Sequence, residues 1–193
     1  MNRVCVFAGS NKGNRPEYAA AARELGGAIL EQQLGLVYGG GNVGLMGVLA
    51  DTVMSGGGHA IGVMPEALVA KEVAHRGLSE LRVVKSMHER KAMMAELSHG
   101  FVALPGGFGT LEEFFEVLTW AQLGMHRKPC ALFNVQGYFD GLLTFIEHSA
   151  AERFARPEHA GMILVGDCAG ELLGRMESYA PPVVEKWIER SQT

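Results

Sequence analysis

Two short segments hold the residues best suited to chemistry. The first is Ser86-Met87-His88-Glu89-Arg90-Lys91. Ser86 and Glu89 have the S-x-x-E spacing of a capping box, which predicts a helix start. Arg90 and Lys91 then fall in its first turns, where cations oppose the helix macrodipole by a few tenths to ~1 kcal/mol. They read either as two solvated basic residues or as an anion-contacting pair that faces a ligand. The second segment runs Pro105-Gly106-Gly107-Phe108-Gly109-Thr110-Leu111-Glu112-Glu113. A glycine loop opening a helix presents unpaired N–H groups and partial positive charge with no Cβ in the way, an arrangement suited to phosphate. Glu113 also has two readings. With Thr110 it fits a T-x-x-E capping box; alternatively it faces a ligand whose phosphate sits on Gly107, Gly109 and Thr110.

These segments need a scaffold, and the apolar pattern supplies one. Short β-rich runs at 4–8, 36–38, 60–64, 81–84, 101–104, 130–134 and 162–165 read as strands. Helical patterns lie between them, at 16–34 with Gly35 as its C-terminal glycine, from the loop at 39–44 to Gly56-Gly57-Gly58, and at 86–97, 110–123 and 138–153. Alternating strands and helices imply parallel strands, and strands apolar on both faces imply helices on both sides. The expected fold is a Rossmann-like, doubly wound α/β layer with a mainly parallel sheet, its ligand at the carboxyl ends of the strands. Three strand-to-helix loops on that edge are glycine-rich, 9–13, 39–44 and 106–109. Gly9, Ser10, Gly40 and Gly41 join Gly106, Gly107 and Gly109 as phosphate-loop candidates.

Composition narrows the remaining classes. The 193 residues fit one α/β domain spanning 1–193, with 181–193 as a tail or short helix after Pro181-Pro182. Glycine accounts for 26 of them, near twice the usual ~7% share, without a collagen period. A net charge of −4 disfavours nucleic-acid binding. No apolar run reaches the length of a membrane-spanning helix or a signal peptide. Cys5, Cys130 and Cys168 are odd in number and widely spaced, which fits a reducing cytoplasm better than a disulfide framework. Gly39, Gly41 and Gly44 match G-x-G-x-x-G, with Glu66 beyond the next strand. That loop belongs to the second βα unit, however, and Pro65 intervenes, so a dinucleotide site is disfavoured. There is no Walker A loop, no G-x-S-x-G elbow and no metal-binding histidine spacing; neither metal nor cofactor is expected.

The sequence PGGFGTLEE, preceded by MHERK, resembles the LOG family, the cytokinin riboside 5′-monophosphate phosphoribohydrolases; the P-G-G-x-G-T-x-x-E motif is matched in full. The runs FAGS at 7–10, YGGG at 38–41, GLMG at 44–47 and LTWAQLG at 118–124 are similar to the family as well. The resemblance implies hydrolysis of the N-glycosidic bond of a nucleoside 5′-monophosphate, without a cofactor, by a homodimer. It implies Arg90 and Glu113 as the catalytic pair. It implies Glu72, Lys91, the backbone from Gly107 to Thr110, and Thr119 as substrate contacts. The lysine decarboxylase label often given to such chains is not supported, because pyridoxal chemistry needs a Schiff-base lysine with supporting contacts. A non-catalytic nucleotide or cofactor carrier of a related fold is the alternative.

Overall fold

The computed structural model describes residues 1–69 and 74–182. Glu72 and the terminal segment from Val183 onward, expected as a substrate contact and a short helix, lie outside the described residues. Seven strands form one sheet: β1 (Arg3–Phe7), β2 (Gly35–Tyr38), β3 (Ala60–Pro65), β4 (Glu80–Val84), β5 (Phe101–Ala103), β6 (Cys130–Phe133) and β7 (Ile163–Gly166). Their order is β4-β3-β2-β1-β5-β6-β7, and every pairing is parallel. The chain winds outward from β1 in one direction and then returns to place β5 on its other side. The crevice at that reversal, between the ends of β1 and β5, is where doubly wound sheets bind ligands.

Strand alternation divides the core in two. Val4 and Val6 of β1 face one layer, with Leu36, Tyr38, Val102 and Phe133. Helices α1 (Pro16–Glu31), α2 (Gly44–Ser55) and α8 (Ala169–Glu177) cover that layer with Leu25, Ile29, Leu49, Leu172 and Leu173. Cys5 and Phe7 face the other layer, under α4 (Met87–Leu97) and α5 (Phe108–Gln122), whose Met94, Phe114 and Val117 fill it. A buried side chain such as Phe114 contributes roughly 1.5–3 kcal/mol. Helix α6 (Asp140–Ala151) adds Leu142 and Leu143 against this second layer. The short helices α3 (Glu66–Val69) and α7 (Pro157–Ala160) complete the chain order.

Two helix boundaries correct the sequence reading. Helix α1 stops at Glu31, and the left-handed residue is Gln33, with φ 55°, not Gly35, which opens β2. Helix α5 begins at Phe108 on Gly107, two residues before the expected start, so Thr110 lies inside its first turn and caps nothing. Helix α8 was not expected at all.

The start of α4 matches its capping-box signature. Ser86 accepts a hydrogen bond from the Glu89 N–H at 3.1 Å, and the Glu89 carboxylate accepts one from the Lys85 N–H at 2.8 Å. Replacing Ser86 with alanine is expected to lower stability by about 0.5–2 kcal/mol. Urea unfolding of the variant measures this; an unchanged midpoint would mean the cap contributes nothing to a helix whose start carries Arg90 and Lys91.

Candidate active site

Arg90 is fastened at the carboxyl edge of the sheet by two backbone carbonyls. Its Nε donates to the Val63 carbonyl of β3 at 3.0 Å, and Nη2 donates to the Gly39 carbonyl beyond β2 at 3.1 Å. A Cβ on Gly39 would collide with Nη2, so any side chain there would push the guanidinium from its present place. The remaining nitrogen, Nη1, stands 3.8 Å from Glu113 Oε1 and 3.7 Å from the Met87 sulfur. That nitrogen keeps hydrogen-bonding capacity toward a ligand oxygen.

Glu113 faces Arg90 and not the backbone of its own helix start, which removes the capping reading. Its side chain is 14% exposed. Burial raises its pKa above the ordinary carboxylate value; Arg90 and Lys91 oppose the shift, and Glu112 and Glu116 add to it. Lys91, next to Arg90, is held at 2.5 Å by Glu112 and at 3.0 Å by Glu116. Burial alone would lower the Lys91 pKa, but its hydrogen bonds to these two carboxylates outweigh burial and hold the ammonium above its usual range.

The glycine loops behave differently from one another. Gly40 and Gly41 are buried: the Gly40 carbonyl accepts from the His75 N–H at 2.8 Å, and Gly41 bridges to Ala74. Together with Gly39, this loop spends its carbonyls on Arg90 and His75. The loops after β1 and β5 are joined by a hydrogen bond from the Gly9 N–H to the Pro105 carbonyl at 3.1 Å. Between them opens a cavity of about 260 Å³ whose lining includes Gly9, Ser10, Lys12, Gly107, Tyr18 and Tyr138. Gly106 is packed against Gly9 and Thr110, and Thr110 is buried. Around Gly107 and Gly109, by contrast, a Cβ would meet nothing within 4 Å. Packing does not demand glycine at these two positions, whereas close approach of a ligand to the amides at the start of α5 would.

The expected residues therefore fall into groups. Arg90, Glu113 and Lys91 come together between α4 and α5. Gly9, Ser10, Gly106 and Gly107 meet at the sheet reversal. Neither Arg90 nor Glu113 lines that cavity; they stand on its α4–α5 side, with Glu113 one turn, about 6 Å, beyond Gly109 along α5. Thr119 is not brought to the pair. It lies about 120° around the helix from Glu113, bonds to the Phe115 carbonyl at 2.7 Å and lines an apolar cavity of about 240 Å³ between α5 and α6. Sequence reasoning passed over Glu116 and Lys12, although the i, i+3 spacing from Glu113 already marked Glu116 as a neighbour.

Comparison with known proteins adds a separate line of evidence. The probable cytokinin riboside 5′-monophosphate phosphoribohydrolase LOGL9 of Oryza sativa subsp. japonica is 51% identical, over 94% of this chain and 80% of that protein. The cytokinin riboside 5′-monophosphate phosphoribohydrolase LOG7 of Arabidopsis thaliana is 48% identical, over 94% and 83%. The chain belongs to the LOG family. Residues 46–176 also match a family described as "Possible lysine decarboxylase". That description would call for pyridoxal phosphate on a Schiff-base lysine. Lys91, the lysine beside the Arg90–Glu113 pair, is held as an ammonium and does not fit that role. Among solved structures, the molybdenum cofactor carrier protein of Chlamydomonas reinhardtii aligns with a TM-score of 0.69 at 22% identity, covering 93% of this chain and 100% of that one. At that identity the likeness speaks to fold alone, and the fold is Rossmann-like.

The pKa direction of Glu113 has a consequence for stability. Its folded pKa is raised, so the ionised group penalises folding at neutral pH, and the penalty disappears as pH falls below its unfolded value. Glu113→Gln is therefore expected to be at least as stable as the wild type at pH 7, with the difference closing toward acid pH. Urea unfolding across a pH series checks this. A variant clearly less stable at pH 7 would mean that the Arg90 pairing outweighs burial.

Proposed function

We propose that this protein hydrolyses the N-glycosidic bond of adenosine 5′-monophosphates, N6-substituted cytokinin forms included, releasing the free base and ribose 5-phosphate. The observation that carries the reading is the Arg90–Glu113 pair, fastened at the strand edge one turn from an open helix N-terminus. Relatives named for this activity at 48–51% identity support it.

The phosphate would rest on the amides of Gly107 to Thr110, where the helix end favours an anion. Gly9 and Ser10 flank it, and the loop of Gly40 and Gly41 backs the site through Gly39 and Arg90. The sugar would then run along α5 toward Glu113, over a span comparable to that from the phosphorus to the anomeric carbon of a ribose 5-phosphate. Breaking the bond builds positive charge on the ribose. The Glu113 carboxylate would stabilise that charge and orient or deprotonate the attacking water. A guanidinium is a poor proton donor and a good clamp for oxygen anions. Two nitrogens of Arg90 are anchored, so Nη1 would clamp a phosphate or ribose oxygen in a fixed place. Glu72 and Thr119 remain substrate contacts by resemblance only. The whole chain would act as one nucleotide-binding unit in the cytoplasm. It would work as a homodimer.

Chromatography of products from AMP and N6-isopentenyl-AMP tests the reaction. Glu113→Gln and Arg90→Ala are each expected to lower kcat/KM about a hundredfold or more while remaining folded. Nucleotide binding without base release in the wild type would point to the carrier alternative. Activity must fall as Glu113 takes up a proton, so the acid limb of kcat/KM is expected above the ordinary carboxylate value of 4.5.

The open space at Gly109 yields a second test. Alanine there should raise helix stability by up to about 1 kcal/mol and yet weaken nucleotide binding severalfold. Calorimetric titration with AMP and thermal unfolding separate the two effects; unchanged binding would remove the phosphate from this helix end.

A further inference from the structure

Three strand-end loops are tied together at the reversal of the sheet. The Gly9 carbonyl accepts from the Leu45 N–H at 2.9 Å, and the Gly9 N–H donates to the Pro105 carbonyl at 3.1 Å. From the loop after β6, the Tyr138 hydroxyl donates to the Gly106 carbonyl at 2.6 Å. We propose that Tyr138 is a positioning residue of the anion site, its hydroxyl holding the Gly106–Gly107 peptide in the orientation that leaves the Gly107 N–H for the phosphate of the substrate. The inference deepens the hydrolytic reading above and rests on it.

Peptide geometry links the hydroxyl to the anion site. In a trans peptide the carbonyl and the N–H that follows it point in opposite directions. A bond that draws the Gly106 carbonyl toward Tyr138 therefore turns the Gly107 N–H away from it. That N–H and those of Phe108 and Gly109 have no hydrogen-bond partner among the described residues, as the first groups of a helix do not. With the peptide reversed, an anion at this helix end would meet the negative end of a carbonyl in place of a donor. Glycine on both sides of the peptide offers little intrinsic resistance to such a reversal, and around Gly107 a Cβ would meet nothing within 4 Å. The Tyr138 hydroxyl supplies the hold that packing around Gly107 does not.

The chain behind the hydroxyl is itself fixed. Gln136 and Gly137, with φ 52° and 68°, turn the chain after β6. The Asn134 side chain closes that turn, its Oδ1 accepting from the Phe139 N–H at 2.8 Å and its Nδ2 donating to Asp140 Oδ1 at 2.7 Å. Phe139 is buried. The Tyr138 ring stands edge-on to Phe139 and to Tyr18, with centroids 5.0 and 5.6 Å away. Tyr138 and Gly107 line the same cavity.

Tyr138→Phe keeps the ring and its edge contacts and removes only the hydroxyl. The experiment compares wild type and variant by calorimetric titration with ribose 5-phosphate and with adenine, and by AMP kinetics, after thermal unfolding has shown the variant to be folded. The variant is expected to bind ribose 5-phosphate about fivefold more weakly or worse, and to show KM for AMP raised by a similar factor with kcat nearly unchanged. Adenine, which has no phosphate, is expected to bind both proteins alike. Unchanged affinity for ribose 5-phosphate overturns the proposal. An equal loss for adenine also overturns it, since the hydroxyl would then support the fold at large, and so does a wild type that binds no ribose 5-phosphate. A wild type that binds ribose 5-phosphate but releases no base from any nucleotide would defeat the hydrolytic reading while the binding comparison still decides the role of Tyr138.

Discussion

The site depends on the anchoring of one guanidinium across the ends of two strands. Arg90 takes one carbonyl from β3 and one from the loop after β2, both about 3 Å away. Each bond pairs a charged donor with a backbone acceptor in a shielded place, where such bonds are worth more than neutral ones. The constraint acts in both directions. The arginine bonds the turn after β2, and glycine at residue 39 leaves the room in which its Nη2 sits. Glu113 then meets a cation that has little freedom to move.

From that constraint the division of labour among the glycine loops follows. The loop after β2 turns its carbonyls toward protein donors and serves as scaffold. The loop after β5 leaves the amides at the start of α5 beside open space and can serve a ligand. Glu113 lies one turn further along the same helix, so the anion site and the carboxylate are tied to one rigid element. Preorganisation of this kind limits the reorganisation needed when charge develops on a substrate. Its cost is a carboxylate held partly out of water, which is why the Glu113 pKa is raised and not lowered by its arginine neighbour.

Much of this was legible in the sequence, for identifiable reasons. Most strands were readable because doubly covered parallel strands are apolar throughout, whereas the edge strand β4, which carries Glu80 and Arg82, showed only as the run 81–84; the cap at Ser86 was readable because its partner sits at a fixed spacing. Thr110 misled because T-x-x-E describes only spacing, while the true helix start two residues earlier depends on how Gly107 leaves β5. Gly40 and Gly41 looked like open phosphate loops because glycine content does not reveal which way the peptide groups point. Gly35 looked like a helix terminator, yet the short connection to β2 turned at Gln33 instead. The partners of Lys91 were hidden because they depend on how α4 packs beside α5, which no local pattern encodes.

In the proposed reaction, water replaces the base at the anomeric carbon of a nucleoside 5′-monophosphate. The most direct measurement is turnover of N6-isopentenyl-AMP in ¹⁸O-enriched water with mass analysis of both products. Hydrolysis of the N-glycosidic bond is expected to give unlabelled free base and ribose 5-phosphate carrying one heavy oxygen at the anomeric position. Heavy oxygen in released inorganic phosphate with the nucleoside intact, or no turnover at all, would contradict it.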